Sequence, residues 1–287
     1  MDVSVIIINY KTKKLTVDCI DSVYKNTDQV DFEIILVDNN SKDGAIEYIS
    51  HQYPSVIIKE MEENVGFGRA NNAGAELASG KYLFLLNSDT ILLENTIKYF
   101  YEFMENNHEY SACGCNLIDA DGNNVVCHGR LPSISMELFS FGLSRLFKRY
   151  YANHLALGQR VDAGDVNNTG YISGADVFIR ASVFNQLDGF DPNIFMYFEE
   201  TDLFARMRKR GLRSCVLPDK KIVHFGGASL GTINLNKIIM YESSRFYYYR
   251  KHFSATQVFF VKVSRIINFI LHPSKYTFSL IKAIVKL

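Results

Sequence analysis

Lys81-Tyr82-Leu83-Phe84-Leu85-Leu86-Asn87-Ser88-Asp89 decides how this chain is read. An apolar run of strand type stops in a short Asn-x-Asp tip and leaves one hard carboxylate where the strand ends. Phe32 to Val37 does the same and runs into Asp38-Asn39-Asn40-Ser41. Open α/β sheets bind ligands outside the carboxyl ends of their strands. Two acidic strand ends therefore point to a polar ligand, together with a divalent cation that takes oxygen ligands.

Outward from that run, the pattern alternates. Val3 to Tyr10 is a nearly continuous β-branched stretch, as in a strand buried on both faces. Leu15, Cys19, Ile20 and Val23 recur at helical spacing over 14–25. Strand 32–37, a turn at 38–44, a helix over 45–52 and a short strand at 56–58 follow. Asn64-Val65-Gly66-Phe67-Gly68 is a loop into a helix over 69–78, with Gly80 expected as its C-cap. This β-α rhythm predicts an α/β fold with a mostly parallel sheet and helices on both faces. Later, strands are expected at 113–118 and 124–128 around Asp121-Gly122-Asn123; regularity returns over 171–180, and a helix is expected at 199–210. The aromatic and basic stretch 131–168 has no clear period and reads as a mobile cover over the site. Residues 236–287 read as two or more helices.

The chain has 287 residues, 47% hydrophobic and 22% charged, which suits one large domain or a domain with an appendage. Its net charge is zero, so nothing in the total suggests nucleic acid. The distribution is uneven, with nine Lys/Arg against the single acid Glu242 in 236–287. Five cysteines show neither a disulfide framework nor zinc spacing and read as buried, reduced thiols. The N-terminus lacks a signal-peptide layout, and no uncharged run approaches the ~20 residues of a membrane span. A cytoplasmic location is the expectation.

Four segments can carry chemistry. At Asp89 a metal would neutralise a departing diphosphate; a plain polar turn would use the same residues. Glu199, Glu200 and Asp202 open an amphipathic helix that ends in Arg206, Arg208, Lys209 and Arg210. Complementing the helix dipole explains that order. It does not explain Phe195, Met196, Tyr197 and Phe198 just before, which give a carboxylate the apolar setting of a general base. His224 ends a strand beside Gly226 and Gly227, either as a structural imidazole or as a phosphate or metal contact. Gly66, Gly68 and Arg69 at a helix start are suited to a phosphate or nucleoside, though not in the dinucleotide-fold order.

In this order the segments resemble family-2 glycosyltransferases of the GT-A fold, closest to the bacterial rhamnosyltransferase-like group of O-antigen and surface-polysaccharide synthesis. The likeness lies in Val3–Tyr10, Leu36–Gly44, Asn64–Asn72, Tyr82–Asp89, Ser173–Arg180, Phe190–Asp202 and His224–Ser229. It implies a GT-A domain over 1–232, with a Rossmann-like nucleotide half and an acceptor half, then a helical extension over 233–287. It also implies an inverting, metal-dependent transferase using Mn2+ or Mg2+ and a nucleoside-diphosphate sugar. By the resemblance, Asp38 and Asp43 contact the donor's base and ribose, beside Asn9, Asn64, Gly66, Arg69 and Asn71. Asn87 and Ser88 belong to the donor site, Asp89 is the metal and diphosphate ligand, and His224 assists it. Gly174, Ala175 and Asp202 border the acceptor, with Asp202 alternatively structural. Glu200 is the expected base, Glu199 the second choice.

Two positions depart from the family pattern. Asn87 replaces the first acid of Asp-x-Asp and removes one charge. Glu199-Glu200 stands where Glu-Asp is usual. With no tryptophan, the chain lacks the Gln-x-x-Arg-Trp motif of processive synthases, so one sugar per encounter is expected. The resemblance favours dTDP-rhamnose as donor, with UDP-sugars as the alternative. A nucleotidyltransferase would need a Gly-rich basic loop after the first strand, where Asn9-Tyr10-Lys11-Thr12 stands instead. A silent glycan-binding relative would not need both Asp89 and Glu200. Bases interleaved with aromatics in 236–287 suit helices lying on an anionic bilayer, which fits a lipid-linked acceptor; alternatively the tyrosines pack on the core. Oligomeric state and the pocket selecting the sugar have no legible pattern in the sequence.

Overall fold

The structure, a computed structural model, describes residues 1–138, 167–226 and 234–287. The expected cover over 131–168 therefore lies largely outside the described residues, as do Gly227, Ala228 and Ser229. Strand β1 (Val3–Asn9) leads through α1 (Lys13–Asn26) to β2 (Phe32–Asp38), then α2 (Ala45–Gln52), β3 (Ile57–Glu60) and α3 (Phe67–Ala75). Next come β4 (Tyr82–Asn87), β5 (Thr90–Leu92), α4 (Thr96–Asn106), β6 (Tyr110–Ile118), β7 (Asn124–Val125), β8 (His128–Gly129) and α5 (Ile134–Leu138). After the undescribed segment stand β9 (Asn167–Asn168), β10 (Tyr171–Ile172), β11 (Asp176–Arg180), α6 (Ala181–Gln186), α7 (Glu199–Lys209) and β12 (Arg213–His224). Helices α8 (Leu235–His252), α9 (Ala255–Leu271) and α10 (Thr277–Lys286) complete the chain.

The main sheet runs β3-β2-β1-β4-β11-β6-β12-β5. Its first four strands are parallel, as the buried β-branched runs predict. Strand β11 then runs antiparallel between β4 and β6, and β5 antiparallel to β12, so the second half is mixed. Every residue of β1 is buried. Phe84, Phe100 and Phe178 meet at the centre, and Tyr82 stacks on Phe178 at 5.1 Å.

Gly80 does not cap α3, contrary to expectation. That helix starts two residues earlier, at Phe67, and ends at Ala75. Gly80 instead lets the chain cross β1 closely. Its N–H donates to Ser4 Oγ at 2.8 Å, and a Cβ there would lie 2.5 Å from Ser4 N.

All five cysteines are buried thiols outside any disulfide, and burial pushes Cys19, Cys127 and Cys215 up to about 12. Aromatic residues of α8 join an apolar cluster with the residues around α7: Phe246, Tyr248 and Tyr249 meet Phe198 and Ala205, and Val261 of α9 and Ile284 of α10 close it. No described helix is long and apolar enough to cross a membrane.

Candidate active site

The carboxyl ends of β1 and β2 form a hydrogen-bonded tip. Asn9 is fully buried and donates to Asp38 Oδ1 at 2.7 Å and Ser41 Oγ at 3.0 Å. Its amide oxygen accepts from Thr12 Oγ1 and Thr16 Oγ1. Both ends of the Asn9 amide are thus used inside the protein, and its place is beneath the tip rather than on a ligand. Asp38 is 3% exposed and also accepts from the Ser41 N–H at 2.9 Å. Asp43 accepts from the N–H groups of Lys13 and Ala45, the first residues of α1 and α2, each at 3.0 Å. One carboxylate thereby fixes two helix starts to the strand ends.

Beside the tip, Asn39 bridges to the next loop. It donates to Asn64 Oδ1 at 2.9 Å and accepts from the Val65 N–H at 2.9 Å. Asn64 Oδ1 also accepts from the Gly66 N–H. Gly66 (φ +87°) is required here, because a Cβ would lie 2.2 Å from the Phe195 carbonyl oxygen. That carbonyl accepts from the Phe67 N–H, so the first N–H of α3 is taken by the protein itself. Arg69 is exposed and donates to Pro192 O at 2.6 Å, and Asn71 is buried on its own helix, donating to Phe67 O. Arg69 thus braces the loop over 190–198, as does Asn72, which exchanges two hydrogen bonds with the Phe190 backbone.

At the end of β4 two sequence-distant residues meet. Strand β12 pairs with β5 so that His224 lies opposite Thr90, and His224 Nε2 comes 3.3 Å from Asp89 Oδ1. The Phe225 N–H donates to Asp89 O, which pins the strand end. Ser88 shares a hydrogen bond with Thr12 at 3.1 Å, and Asn87 N–H donates to Ala175 O. Ala175 is buried, whereas Gly174 lies beside the Phe67 ring. Among the described residues no three His, Cys, Asp or Glu side chains converge on a metal. A carboxylate oxygen and an imidazole nitrogen side by side do fit a cation that takes its other ligands from phosphates and water.

Strain marks the start of α7. Tyr197 (φ +66°) and Phe198 (φ +69°) are consecutive left-handed residues directly before Glu199. Such conformations persist where surrounding contacts over-determine them. They turn the chain so that Glu199 and Glu200 diverge. Glu199 is 2% exposed and lies under Gly68, where a Cβ would come 3.4 Å from its Cγ. Glu200 remains half-buried. Burial pushes both carboxyls up, and at Glu199 the neighbouring Glu200 charge adds to it. Asp202 is fully buried and accepts from Arg206 Nε at 2.7 Å and Lys251 Nζ at 2.9 Å, with His252 Nε2 at 2.7 Å. Those partners fill it, so Asp202 ties α7 to α8 and does not meet an acceptor.

A cavity of about 270 Å³ opens at the strand ends. Its polar wall is Tyr10, Asn39, Asn64, Asn87 and Ser88. Phe195 and Met196 cover it, and Lys237 and Met240 of α8 close it. Asn39 was legible as an amide next to Asp38. No local signal marks Lys237 or Met240, which arrive only through tertiary packing.

Residues 4–187 match Glycosyl transferase family 2. The N-acetylglucosaminyl-diphospho-decaprenol L-rhamnosyltransferase of Mycobacterium tuberculosis is 25% identical over 209 residues, 69% of this chain and 68% of that protein. The poly(ribitol-phosphate) beta-glucosyltransferase of Bacillus spizizenii is 29% identical over 160 residues, 52% of this chain and 25% of that protein. Among solved structures, S. aureus TarS 1–349 in complex with UDP-GlcNAc covers 99% of this chain and 79% of its own, with TM-score 0.64 at 16% identity. The mannosyltransferase PcManGT of Pyrobaculum calidifontis, in complex with GDP-Man and Mn2+, covers 99% and 73%, with TM-score 0.59 at 14% identity. The structural likeness is one of fold, GT-A. With the family pattern running from β1 through α6, across both acidic strand ends, the chain belongs to glycosyltransferase family 2.

Proposed function

We propose that this enzyme moves one sugar from a nucleoside-diphosphate donor to a hydroxyl of a glycan acceptor, inverting the anomeric centre. The observation that carries the reading is the cavity at the ends of β1, β2 and β4, with the Asp89–His224 pair directly after Ser88 in its wall. The acceptor oxygen attacks the anomeric carbon, the bond from that carbon to the diphosphate oxygen breaks, and Glu200 takes the hydroxyl proton. The departing group is the nucleoside diphosphate. A raised carboxyl in a half-buried setting is matched to accepting a proton from an alcohol as it becomes acidic in the transition state. Asp89 and His224 would hold Mn2+ or Mg2+, which when bound neutralises charge on the leaving diphosphate. The nucleoside end of the donor rests on the tip built by Asp38 and Asp43.

For the donor sugar we infer rhamnose carried by dTDP. The Mycobacterium relative is named an L-rhamnosyltransferase and its acceptor a diphospho-decaprenol. By the same likeness the acceptor is lipid-linked, in surface-polysaccharide synthesis. The enzyme would then work at the cytoplasmic face of a membrane, docked peripherally through α9 and α10.

Thermal stabilisation by dTDP, UDP, dTDP-rhamnose and UDP-sugars, each with Mg2+, Mn2+ or EDTA, tests this. A ligand at ~100 times its Kd adds about 2.7 kcal/mol. Stabilisation by the dTDP compounds is expected. Stabilisation by UDP compounds alone moves the donor to a UDP-sugar, and no shift with any of them overturns the transferase reading.

A further inference from the structure

With Asp202 filled by Arg206, Lys251 and His252, and Ala175 buried, the acceptor contacts beside Glu200 must come from elsewhere. Strand β10 packs against α7, and its Tyr171 is partly exposed. Gly129 pairs with Tyr171 across the short β8–β10 sheet and makes room for that ring. A Cβ at Gly129 would lie 2.5 Å from the ring carbons and 2.6 Å from the hydroxyl. Thr169 Oγ1 shares its proton between Gly129 O at 3.1 Å and Tyr171 O at 2.9 Å, which fixes the backbone of both strands. Burial pushes the Tyr171 phenol up, and the charges of Glu200 and then Tyr241 add to it, so the three groups lie close together.

Tyr241 arrives from α8. Met240 beside it lines the donor cavity, whereas Tyr241 is 37% exposed. Its ring meets Tyr197 edge-on at 5.4 Å and Phe198 at 5.3 Å, and the Arg245 guanidinium lies 5.1 Å from its centre. Ser244 Oγ donates to Met196 O at 2.7 Å and seats this part of the helix. The ring is therefore exposed yet held on three sides, and a ring so fixed loses little freedom when a ligand covers it.

A pyranose has apolar C–H faces and a hydroxyl rim, and tyrosine offers an apolar ring with one hydroxyl that donates or accepts. We propose that Tyr171 and Tyr241 form the acceptor subsite: a sugar ring lies against Tyr241 while the Tyr171 hydroxyl holds one of its hydroxyls toward Glu200. This rests on the transferase reading and replaces the acceptor contact expected of Asp202. Tyr241 lies beyond residues 4–187, so it adds to the site a residue from outside the family pattern.

Saturation-transfer NMR of the full-length protein and its Y241F, Y241A and Y171F variants tests this. The probes are free N-acetylglucosamine, glucose, galactose and rhamnose, each with dTDP or UDP and Mg2+. The parent should pass saturation to at least one sugar, most strongly to protons on one face of its ring. Y241F should keep that signal. Y241A should lower the affinity about tenfold and Y171F about threefold to tenfold, while nucleotides stabilise every variant against heat as they do the parent. Unchanged sugar affinity in both Y241A and Y171F overturns the inference, and so does a parent that binds none of the sugars. An effect in one of the two alone overturns the role of the other tyrosine. If Y241A loses nucleotide stabilisation together with the sugar, Tyr241 is structural; Y171F, which keeps its ring, then decides for Tyr171. A parent that no nucleotide stabilises overturns the transferase reading itself. Nucleotide stabilisation with a sugar signal indifferent to both tyrosines overturns only the subsite.

Discussion

Glu199 and Glu200 are chemically identical neighbours with opposite environments. The left-handed pair Tyr197–Phe198 sends one side chain under Gly68 and leaves the other half-buried. Burial raises both carboxyls, but Glu199 is packed away beneath Gly68 whereas Glu200 keeps access to a hydroxyl, so Glu200 is the one placed to act as base. Carboxyls in settings this different take separate roles. Glu200→Gln should lower kcat by roughly 10² to 10⁴ while nucleotides still stabilise the protein. Glu199→Gln keeps the shape of a side chain buried beneath Gly68 and away from a hydroxyl, and should stay within about tenfold of the parent. Steady-state kinetics of both variants checks this, and the reverse order would make Glu199 the base. Because the base must be deprotonated, activity should rise with pH through a value above the ordinary glutamate range. At this scale the sequence is legible where a residue's job follows from its place on a strand end. Asp89 and His224 qualify, and they meet at 3.3 Å. Asn9 and Asp202 have the right chemistry for ligands, but buried partners within the protein occupy them, and spacing along a chain carries no record of that.

Helices α7 and α8 are joined by a buried ion cluster. Asp202 gathers Arg206, Lys251 and His252, and Lys251 also reaches Asp191, which Tyr247 contacts at 2.9 Å. Burial alone would raise the Asp202 carboxyl, but the His252 hydrogen bond, Arg206 and Lys251 outweigh it and hold it below its usual range. A lowered folded value means that the cluster stabilises fully above the unfolded value of about 3.9 and is lost as pH falls through the lower folded one. Asp202→Asn should therefore cost about 3 kcal/mol near neutral pH, since cations are left buried without their partner. The gap should close below about pH 3.9. Urea denaturation across pH measures it, and a gap that is constant down to pH 2 would show that packing, not charge, is lost. The strand-helix order to β4 was legible because its apolar periods are long and its turns polar; β5 and α4, which follow, were not read. The acceptor half was less so: β8, β9 and β10 are two residues each, too short to show a period, and β11 reverses direction in mid-sheet.

The whole chain is neutral, yet residues 236–287 carry nine bases against one acid, so the rest is net acidic. The described structure divides that tail. In α8 Tyr248 and Tyr249 face inward, and Arg245 is held by Glu137 and Glu242. In α9 and α10 the inward residues are few, and Phe259, Phe260, Ile270, Leu271 and Phe278 are exposed, Phe278 by 81%. Neither helix contains an acid, whereas Lys262, Lys282 and Lys286 lie on them and Lys275 between them. Apolar side chains flanked by lysines match an anionic bilayer surface, with ~1 kcal/mol for each basic residue close to it and about 1.5–3 for each buried Phe. Truncation is a poor test, because Val261 and Ile284 belong to the cluster that seats α8 over the donor cavity. Surface substitutions leave that cluster intact. The double variant Phe259→Ser with Phe278→Ser should lower sedimentation with vesicles of anionic phospholipid by roughly a hundredfold in partition coefficient, while nucleotides stabilise it as they do the parent. Parent binding should weaken with salt, as attraction of exposed lysines to lipid charge requires. If parent and variant sediment alike, or if the parent ignores anionic lipid and instead forms a dimer that the variant cannot, the exposed face is not a membrane surface. The lipid-linked acceptor would then have to reach Glu200 without docking through α9 and α10.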